Sequence, residues 1–452
     1  MSVIAFKWIR LAWAAAALLP LTLACNQSAK LPLAAGTGPA PTLPSPHKSL
    51  FPTVDVPAAK GWSEGSKPTA AAGTIVTALA RDLHHPRWLH VLPNGDVLVA
   101  ETGTPPKPDD EKGVRGWAMK RLMKKAGSAT PSANRISLLR DADGDHVAET
   151  RTTFLEGLSS PFGMALVGND FYVADTDALL RFTYLEGDTR ITTPGVRVLD
   201  LPAGRINHHW TKNVIASPDG TRLYVTVGSN SNVGENGMDN EVERAAIWEI
   251  NPRTREHRVF ASGMRNPVGL AWRSGSEELW VVVNERDELG SDVPPDYMTA
   301  VQEGGFYGWP YSYFGQHVDP RVKPGRPDLV ATALTPSYAL GPHTASLGLA
   351  SAAGTTLPAP FRDGMFVGQH GSWNRKPRSG YKVVFVPFVE GKPSGQPIDV
   401  LTGFLDEKGN AQGRPVGVAI DKRGDLLVAD DVGNTVWCVR NAGGIAHAMV
   451  TP

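Results

Sequence analysis

Hydrophobic and polar positions follow a repeated unit along most of this chain. Each unit opens near a Pro or Asn, continues with apolar residues, passes through a polar turn and ends with a second apolar run. Apolar runs separated by Gly-, Asp- or Asn-containing turns are typical of β-hairpins. The clearest units are Pro86–Glu101, Pro161–Asp175, Asn213–Gly228, Asn266–Glu285 and Arg414–Asp431, and a degenerate sixth unit covers Ala345–Gly371.

The spacing of these units predicts the fold. Their starts lie roughly 50 to 80 residues apart, which suits one four-stranded propeller blade with its loops. We therefore predict an all-β chain, with a six-bladed β-propeller over residues 73–445. An array of β-sandwiches is the alternative. In a propeller, loops from several blades meet at one mouth of the central channel, so functional residues are expected there.

One insertion interrupts the first predicted blade, at residues 104–132. Within it, Val114–Ala126 is predicted to form a basic helix, with Trp117, Met119, Leu122 and Met123 as its large apolar residues. Three roles remain open for this helix: a lid, a decoration packed on blade one, or a contact with anionic lipid head groups.

The N-terminus carries the features of an export signal over residues 1–25. Lys7 and Arg10 precede an apolar run, and small residues precede Cys25. The ending LTLAC resembles a lipoprotein box, although Thr22 stands where such boxes usually carry Leu. Lipidation of Cys25 and ordinary cleavage after Ala24 therefore both stay open. Residues 26–72, rich in Pro, Ala and Ser, are predicted to be a mobile linker, and the chain is expected in the periplasm.

Composition excludes some classes of function. The 452 residues contain 45 Lys and Arg against 45 Asp and Glu, so no overall charge points to nucleic acid. Only two cysteines occur, Cys25 and Cys438, which excludes a disulfide framework.

Polar and aromatic residues gather where the predicted hairpins begin and end. The relevant stretches are NHHWTKN (207–213), RNPVGLAW (265–272), GGFYGWPY (304–311) and GSWNRKPRSGY (371–381). Taken together and in this order, they resemble soluble quinoprotein sugar dehydrogenases that use pyrroloquinoline quinone (PQQ) and calcium. Within that family the L-sorbosone dehydrogenase-like branch is the most similar, and the resemblance covers about residues 75 to 440.

The resemblance implies a catalytic group. Oxidation of an alcohol by hydride transfer needs a base for the hydroxyl proton, and histidine suits this task near neutral pH. The family's base corresponds to His209, with His208 one place outside as the alternative. Arg265 corresponds to the cation beside the quinone oxygen, where developing negative charge needs stabilisation. Asn266 is the adjoining polar contact.

The resemblance also implies a cofactor pocket. PQQ is a planar tricarboxylate, so its pocket needs cations and a flat packing surface. The residues expected to bind it are Lys212, Arg265, Asn266, Trp373, Asn374, Arg375, Lys376, Arg378 and Arg414. At least one of the cations in 375–378 is expected to face solvent. Two positions depart from the family pattern: Val268 replaces a Gln and Val416 replaces an Arg.

Two metal sites are expected. The family's catalytic calcium is bound by backbone carbonyls that correspond to Asp287 and Glu288. Separately, Asp141, Asp143 and Asp145 alternate in DADGDHVAE, with Glu149 beyond, like half of an EF-hand loop. A polar hairpin turn explains the same pattern equally well.

The expected function is PQQ- and Ca²⁺-dependent oxidation of an aldose or a sorbosone-type aldehyde sugar. A quinone or a cytochrome would accept the electrons. A calcium-dependent lactonase-type hydrolase is the competing class, and it would need acidic side chains around one metal at the channel mouth. A propeller that only binds its ligand is the third possibility.

Overall fold

A computed structural model describes residues 28–47, 53–106, 121–128 and 130–443. The predicted signal peptide, the predicted lipidation of Cys25 and residues 114–120 of the predicted helix lie outside these ranges.

The described residues form six antiparallel sheets whose strands follow one another in the chain, as the blades of a propeller. Three strands precede the first blade: β1 (Thr37–Gly38), β2 (Thr69–Ala70) and β3 (Thr74–Ala80). Blade 1 consists of β4 (Pro86–Val91), β5 (Val97–Glu101), β6 (Arg135–Arg140) and β7 (Thr150–Leu155). Blade 2 consists of β8 (Met164–Val167), β9 (Asp170–Ala174), β10 (Ala178–Thr183) and β11 (Val196–Asp200). Blade 3 consists of β12 (Val214–Ala216), β13 (Leu223–Val227), β14 (Ala246–Ile250) and β15 (His257–Ser262).

The second half of the ring repeats this arrangement. Blade 4 consists of β16 (Pro267–Trp272), β17 (Leu279–Val283), β18 (Pro295–Ala300) and β21 (Tyr338–Pro342), with the small hairpin β19 (Ser312–Tyr313) and β20 (His317–Val318) inserted. Blade 5 consists of β22 (Ser346–Ser351), β23 (Gly364–Gln369), β24 (Lys382–Val389) and β26 (Ile398–Thr402), with β25 (Lys392–Pro393) beside β24. Blade 6 consists of β27 (Pro415–Ile420), β28 (Leu426–Asp430) and β29 (Thr435–Asn441), completed by β3.

Helices are few and short in the described part of the chain. They comprise the 3₁₀ turns Leu33–Gly36 and Met238–Glu241, the α-helical turn Pro327–Val330, and residues 121–125. None of the described helices is long and apolar enough to cross a membrane.

The six predicted repeat units are the inner hairpins of the six blades, so the predicted six-bladed all-β fold is confirmed. The second strand of a blade is covered on both faces by the neighbouring strands and blades. In β5, β13, β17 and β28 every residue is buried. This explains why these runs are continuously apolar and do not alternate.

An N-terminal strand closes the ring. β3 is the outermost strand of blade 6, and it pairs antiparallel with β29, with Thr77 opposite Cys438. Blade 6 is therefore built from both ends of the chain.

The segment predicted as a mobile linker contributes to the propeller where the structure describes it. β1 pairs with β21, with Thr37 opposite Leu340, and β2 pairs with β26, with Thr69 opposite Thr402. These strands are two residues long and are held by backbone hydrogen bonds. Such short strands leave no hydrophobic period in the sequence, so composition alone indicated a linker.

Candidate functional site

A cavity of about 230 Å³ lies at the mouth of the central channel. All six blades contribute to its wall at the end where their first strands begin, for example with Arg87 of blade 1, Phe162 of blade 2 and His209 of blade 3. Blades 4, 5 and 6 contribute Asn266, Trp373 and Arg414, among others. This is the position at which the sequence predicted a functional site. No acidic side chain lines the cavity among the residues that the structure describes.

His209 is oriented by the blade-3 loop. Its Nδ1 lies 2.8 Å from the carbonyl oxygen of Ser229 and 3.1 Å from the Ser229 hydroxyl. A carbonyl only accepts hydrogen bonds, so the proton of the neutral imidazole stands on Nδ1 and the lone pair on Nε2. His208 also lines the cavity, but it is exposed, and its ring meets that of His209 edge-to-face at 4.7 Å.

Asn266 and His209 approach each other across Gly228. A Cβ at position 228 would lie 2.5 Å from both Asn266 Oδ1 and His209 Cβ, so only glycine allows this approach. Asn266 is 5% exposed, and its Oδ1 has no hydrogen-bond partner within the described ranges. A buried amide oxygen without a partner is costly, which indicates that a ligand completes it.

Arg414 brings a buried cation to the opposite wall. Its side chain is 5% exposed and lies over the Tyr381 ring at 5.4 Å. Its Nε and Nη2 have no hydrogen-bond partner among the residues described. A buried guanidinium with two unused donors fits a carboxylate or phosphate ligand.

Beside Arg414, the buried carboxylate of Asp431 is surrounded by one arginine and two histidines. Asp431 Oδ2 lies 3.0 Å from Arg87 Nη1, 2.9 Å from His370 Nε2 and 3.6 Å from His85 Nε2. Burial raises the pKa of Asp431, but His370, His85 and Arg87 outweigh it, so the net shift is downward and the group stays ionised. Burial lowers the pKa of His370, and it lowers the pKa of His85 to about 4.

Arg265 lies behind the cavity wall, in a network with the predicted calcium loop. It is 2% exposed, donates to the carbonyl oxygen of Glu285 at 2.7 Å, and pairs with Asp287 Oδ2 at 3.1 Å. The other carboxylate oxygen of Asp287 accepts from Asn374 Nδ2 at 3.0 Å. The structure therefore brings Arg265, Asp287 and Asn374 together, and Asp287 compensates the charge of Arg265.

Like Arg265, four other predicted cofactor-binding cations do not line the cavity. Lys212 is fully buried, and its Nζ donates to the carbonyl oxygens of His209 and Trp210, so it supports the histidine loop from behind. Burial is the main cause that holds its pKa well below the usual value. Arg375 is buried and donates to the carbonyl oxygen of Pro377 at 2.5 Å.

The other two residues contact the N-terminal segment, Arg378 through its side chain and Lys376 through its backbone. Arg378 pairs with Asp55 at 2.5 Å, and the backbone carbonyl of Lys376 accepts from the amide of Ala29 at 2.6 Å. Of the cations predicted to bind the cofactor, Arg414 is thus the one that reaches the cavity within the described chain.

Glu288, the second residue of the predicted calcium loop, is bonded to Arg321. Its backbone has a φ of 72°, and both its carbonyl oxygen and its carboxylate accept from Arg321, at 2.7 and 3.1 Å. Glu288 is not among the residues that line the cavity, and its carbonyl oxygen is bonded to Arg321 instead. Asp287 remains at the edge of the site, although its backbone carbonyl accepts from Asn232 Nδ2 at 3.3 Å.

The separate acidic loop brings its carboxylates together, and Asp141, Asp143 and Asp145 also accept from backbone amides of the same turn. Ligand oxygens of Asp141, Asp143, Asp145 and Glu149 all lie within 4.8 Å of one another. The loop joins β6 to β7 and lies at the end of the blades opposite the cavity, because adjacent strands alternate in direction. Asp141 is also bonded by Arg423 at 2.6 Å. This cluster does not belong to the channel-mouth site.

The end of the predicted insertion helix contributes to the cavity. Residues 121–125 are helical, and Leu122, Met123 and Ala126 line the channel-mouth cavity together with Val56 of the N-terminal segment. This part of the helix thus covers the mouth with apolar side chains.

Sequence reasoning missed Arg87, His370 and Asp431. A signal for two of them was present, because Arg87 follows the opening proline of its repeat and Asp431 closes another repeat. His370 stands in a stretch where the neighbouring tryptophan and arginines drew attention.

The fold and the cavity define a class: a six-bladed propeller with a cationic, histidine-bearing pocket at one mouth of its channel. A family model described as TrAA12-like matches residues 132–303 and 330–442, more than half of the chain. The chain belongs to this family.

Curated relatives give two comparisons. The chain is 33% identical over 300 residues to a pyrroloquinoline quinone-dependent pyranose dehydrogenase of Coprinopsis cinerea, covering 52% of this chain and 40% of that protein. It spans well under half of that relative. It is also 26% identical over 298 residues to an uncharacterised protein of Borreliella burgdorferi, covering 64% of this chain and 77% of that one.

Solved structures share the fold. The PQQ domain of the Coprinopsis cinerea pyranose dehydrogenase, in its holo form, superposes with a TM-score of 0.65 at 20% identity, covering 85% of this chain and all of that one. A calcium structure of a Trichoderma reesei carbohydrate-active enzyme of family AA12 gives 0.66 at 17%, covering 86% and 98%. A PQQ-bound aldose sugar dehydrogenase of Streptomyces coelicolor gives 0.52 at 16%, covering 82% and 99%. At these identities the likeness concerns the fold.

Proposed function

We propose that this protein is a PQQ- and calcium-dependent sugar dehydrogenase that oxidises an aldose or a sorbosone-type aldehyde sugar. The observation that carries the proposal is that one cavity is lined both by a histidine held in a fixed orientation and by a buried arginine with unused hydrogen-bond donors. His209 offers a base at Nε2, and Arg414 offers two unused donors to an anion. The pyranose and aldose sugar dehydrogenases among its relatives support the same chemistry.

The residues of the cavity fit a planar, anionic cofactor. Arg414 would bind a carboxylate, Asn266 would meet a donor or a cation with its unpartnered Oδ1, and Trp373 would supply packing surface. When bound, PQQ would supply the two-electron acceptor for the substrate. Leu122, Met123 and Val56 add apolar surface to the same space.

The chain's own contribution is acid–base and electrostatic. His209 would take the substrate hydroxyl proton on Nε2, while the Ser229 carbonyl holds the Nδ1 proton and fixes the ring. Arg265 lies behind the wall, where its ion pair with Asp287 and its bond to the Glu285 carbonyl would hold the loop beside the cofactor in place.

A calcium ion beside the cofactor would need oxygen ligands from both the chain and the cofactor. Ca²⁺ takes six to eight oxygen ligands. The Asn266 amide oxygen would be one ligand at the cavity wall, and Asp287 would supply another from behind that wall, whereas the Glu288 carbonyl oxygen accepts from Arg321. Cofactor oxygens and water would have to complete the shell.

A lactonase-type hydrolase is the alternative class. It requires carboxylates around one metal at the mouth, and the described wall of this cavity offers none. The acidic loop at Asp141 lies at the other end of the blades and so does not supply them.

We further propose that the protein is exported to the periplasm, with Cys25 as a candidate lipid anchor, and that a quinone or a cytochrome reoxidises the cofactor. The signal features of residues 1–25 support export.

The deciding experiment titrates purified apo-protein with PQQ and Ca²⁺ while the quinone absorbance and dye reduction are followed over a panel of sugars. We expect stoichiometric binding of PQQ in calcium and activity that a chelator abolishes when it is added before reconstitution. If saturating PQQ and calcium produced neither a spectral change nor thermal stabilisation, the redox function would be refuted. Hydrolysis of a lactone under the same conditions would favour the alternative class.

A further inference from the structure

A second cluster of ligand-type side chains lies at the seam where the ring closes. His146 comes from the β6–β7 loop of blade 1, Asp425 precedes β28, and Cys438 lies on β29. One nitrogen, one carboxylate oxygen and one sulfur meet within 4.8 Å. These residues are at the end of the blades away from the cavity, and the proposed dehydrogenase chemistry does not use them.

The distances in this cluster resemble those around a tetrahedral metal ion. His146 Nδ1 lies 3.2 Å from Asp425 Oδ2, and Cys438 Sγ lies 3.9 Å from each of these atoms. A zinc-type ion with a metal–sulfur bond of about 2.3 Å and metal–nitrogen or –oxygen bonds of about 2.0–2.1 Å would place its ligands about 3.3–3.6 Å apart. Shifts of a few tenths of an ångström would complete the site.

The arrangement differs from that of a nucleophilic cysteine. In a catalytic relay, the acid and the nucleophile bind opposite nitrogens of the imidazole. Here Asp425 and Cys438 both lie next to Nδ1 of His146. Cys438 is also fully buried, so a substrate could not reach its sulfur. Three donors that converge on one point are suited to an ion.

Burial and backbone geometry pre-arrange the donors. Cys438 is 0% and Asp425 5% exposed, whereas the His146 side chain is 19% exposed, which leaves an entry path and a fourth position for water. His146 has a φ of 71°, which is uncommon for a residue with a side chain. The backbone amide of Ala148 donates to the carbonyl oxygen of Leu79 on β3 at 2.8 Å, which fixes this loop against blade 6.

Positive charge near the cluster is partly compensated. Burial is the main cause that raises the pKa of the Cys438 thiol, Asp425 and Asp421 raise it further, and Arg423 and Arg440 oppose this shift. Arg423 is held by Asp141 at 2.6 Å and by Asp421 at 3.4 Å. With Asp425 and Cys438 as anionic ligands, the cluster can accept a divalent ion.

We propose that His146, Asp425 and Cys438 bind a transition-metal ion of the Zn²⁺ type, which fastens blade 1 to blade 6 where the propeller closes. The sulfur and nitrogen donors favour such an ion over Ca²⁺, which takes oxygen ligands. The neighbouring Asp141 loop, with oxygens alone, has the opposite preference. The metal would stabilise the ring and would not take part in sugar oxidation.

The test uses the full chain after treatment with a chelator. Co²⁺ serves as the spectroscopic probe, because a thiolate ligand gives it a charge-transfer band in the near ultraviolet, and Zn²⁺ binding is measured by dialysis with elemental analysis. We expect one Zn²⁺ per chain, a thiolate–Co²⁺ band, and a higher melting temperature with Zn²⁺. Excess Ca²⁺ should not displace the ion.

Variants locate the site. Cys438→Ser should remove the Co²⁺ band, and Asp425→Asn and His146→Asn should each weaken Zn²⁺ binding more than about tenfold. His317→Asn, at an exposed histidine in blade 4, should bind like the unmutated protein. His146 is on a surface loop, so His146→Asn keeps the test decisive if the core substitution Cys438→Ser fails to fold. A Co²⁺ complex without the thiolate band, or unchanged Zn²⁺ affinity in His146→Asn and Asp425→Asn, would overturn the proposal.

Discussion

The two adjacent histidines at the channel mouth, His208 and His209, differ in their hydrogen-bond contacts. His209 is anchored at Nδ1 by Ser229 in a close approach that Gly228 permits. His208 has an exposed side chain, and its backbone amide donates to Asn230 Oδ1 at 3.1 Å. A base must keep its geometry in the transition state, so the anchored ring is better suited to that role.

If His209 is the base, substitutions of the two histidines should lower kcat by very different factors. His209→Asn should lower kcat about 100- to 10,000-fold, because a positioned base contributes that much, while PQQ binding is retained. His208→Asn should change kcat less than about tenfold. Both are measured by steady-state reduction of an artificial acceptor, with PQQ occupancy followed by absorbance. If His208→Asn is the inactive variant, the base is His208; if both variants stay active, neither histidine is the base.

Arg414 predicts a cofactor-binding variant. A hydrogen bond to a charged group contributes about 1.5–3 kcal/mol, so Arg414→Gln should weaken PQQ binding about 10- to 150-fold. Arg378→Gln is the matched control, because Arg378 pairs with Asp55 outside the cavity and should leave PQQ affinity unchanged. The dissociation constants are measured by spectroscopic titration in calcium. Equal affinities for the two variants would remove Arg414 from the cofactor site.

At the scale of elements, the acids that end the second strand of a blade hold the loop that begins its first strand. Asp175, after β9, accepts from the Ser159 amide at 2.7 Å, and Asp430 of β28 accepts from the Arg414 amide at 2.7 Å. Glu101 of β5 accepts from the His84 amide at 2.5 Å. The acids that closed the repeat units in the sequence are thus structural elements of the channel mouth.

These buried acids predict a pH dependence. Burial raises the pKa of Asp175 to about 7, above its ordinary unfolded value of about 3.9. Between these values the folded protein holds more protons than the unfolded chain, so the free energy of unfolding decreases as pH rises from about 4 to 7. Asp175→Asn should flatten this decrease, measured as melting temperature against pH. Asp170→Asn, at a half-buried acid that begins β9, should leave the decrease unchanged. An unchanged slope in Asp175→Asn would contradict the assignment.

Elements that are encoded by neighbouring residues could be predicted from the sequence, and elements that depend on distant contacts could not. The inner hairpins could be predicted because their turns and apolar runs are encoded within about 20 residues. The pairing of β1 and β2 could not, since it depends on backbone contacts with strands hundreds of residues away. For the site, sequence order placed His209, Asn266 and Arg414 in the cavity. It could not show that Lys212 and Arg375 point into backbone carbonyls, because the direction of a side chain depends on the packing of the loop.

At the scale of the whole molecule, the N-terminal segment divides into a peripheral part and an essential part. β1 adds two residues to the rim of blade 4, whereas β3 covers the edge of β29 and completes the last blade. An uncovered edge strand promotes pairing with other chains.

Two shortened chains test this division. A chain that begins at residue 48 should elute like the full chain and fold with a slightly lower melting temperature. A chain that begins at residue 83 lacks β3 and should aggregate or lose its cooperative transition. Size-exclusion chromatography and thermal melts distinguish them. A monomeric, cooperatively melting chain from residue 83 would show that the ring closes without β3.

Ring closure by β3 and β29 also has a consequence in time. During synthesis β3 emerges early, but its partner is among the last strands to leave the ribosome. Blades 1 to 5 contain most of their contacts within one continuous stretch, so they can form while blade 6 is still incomplete. The last step of folding is then the pairing of β29 with β3, a strand that was synthesised early and stayed unpaired until that point. A chain that is truncated before β29 offers no partner for β3. It therefore cannot complete blade 6 or close the ring.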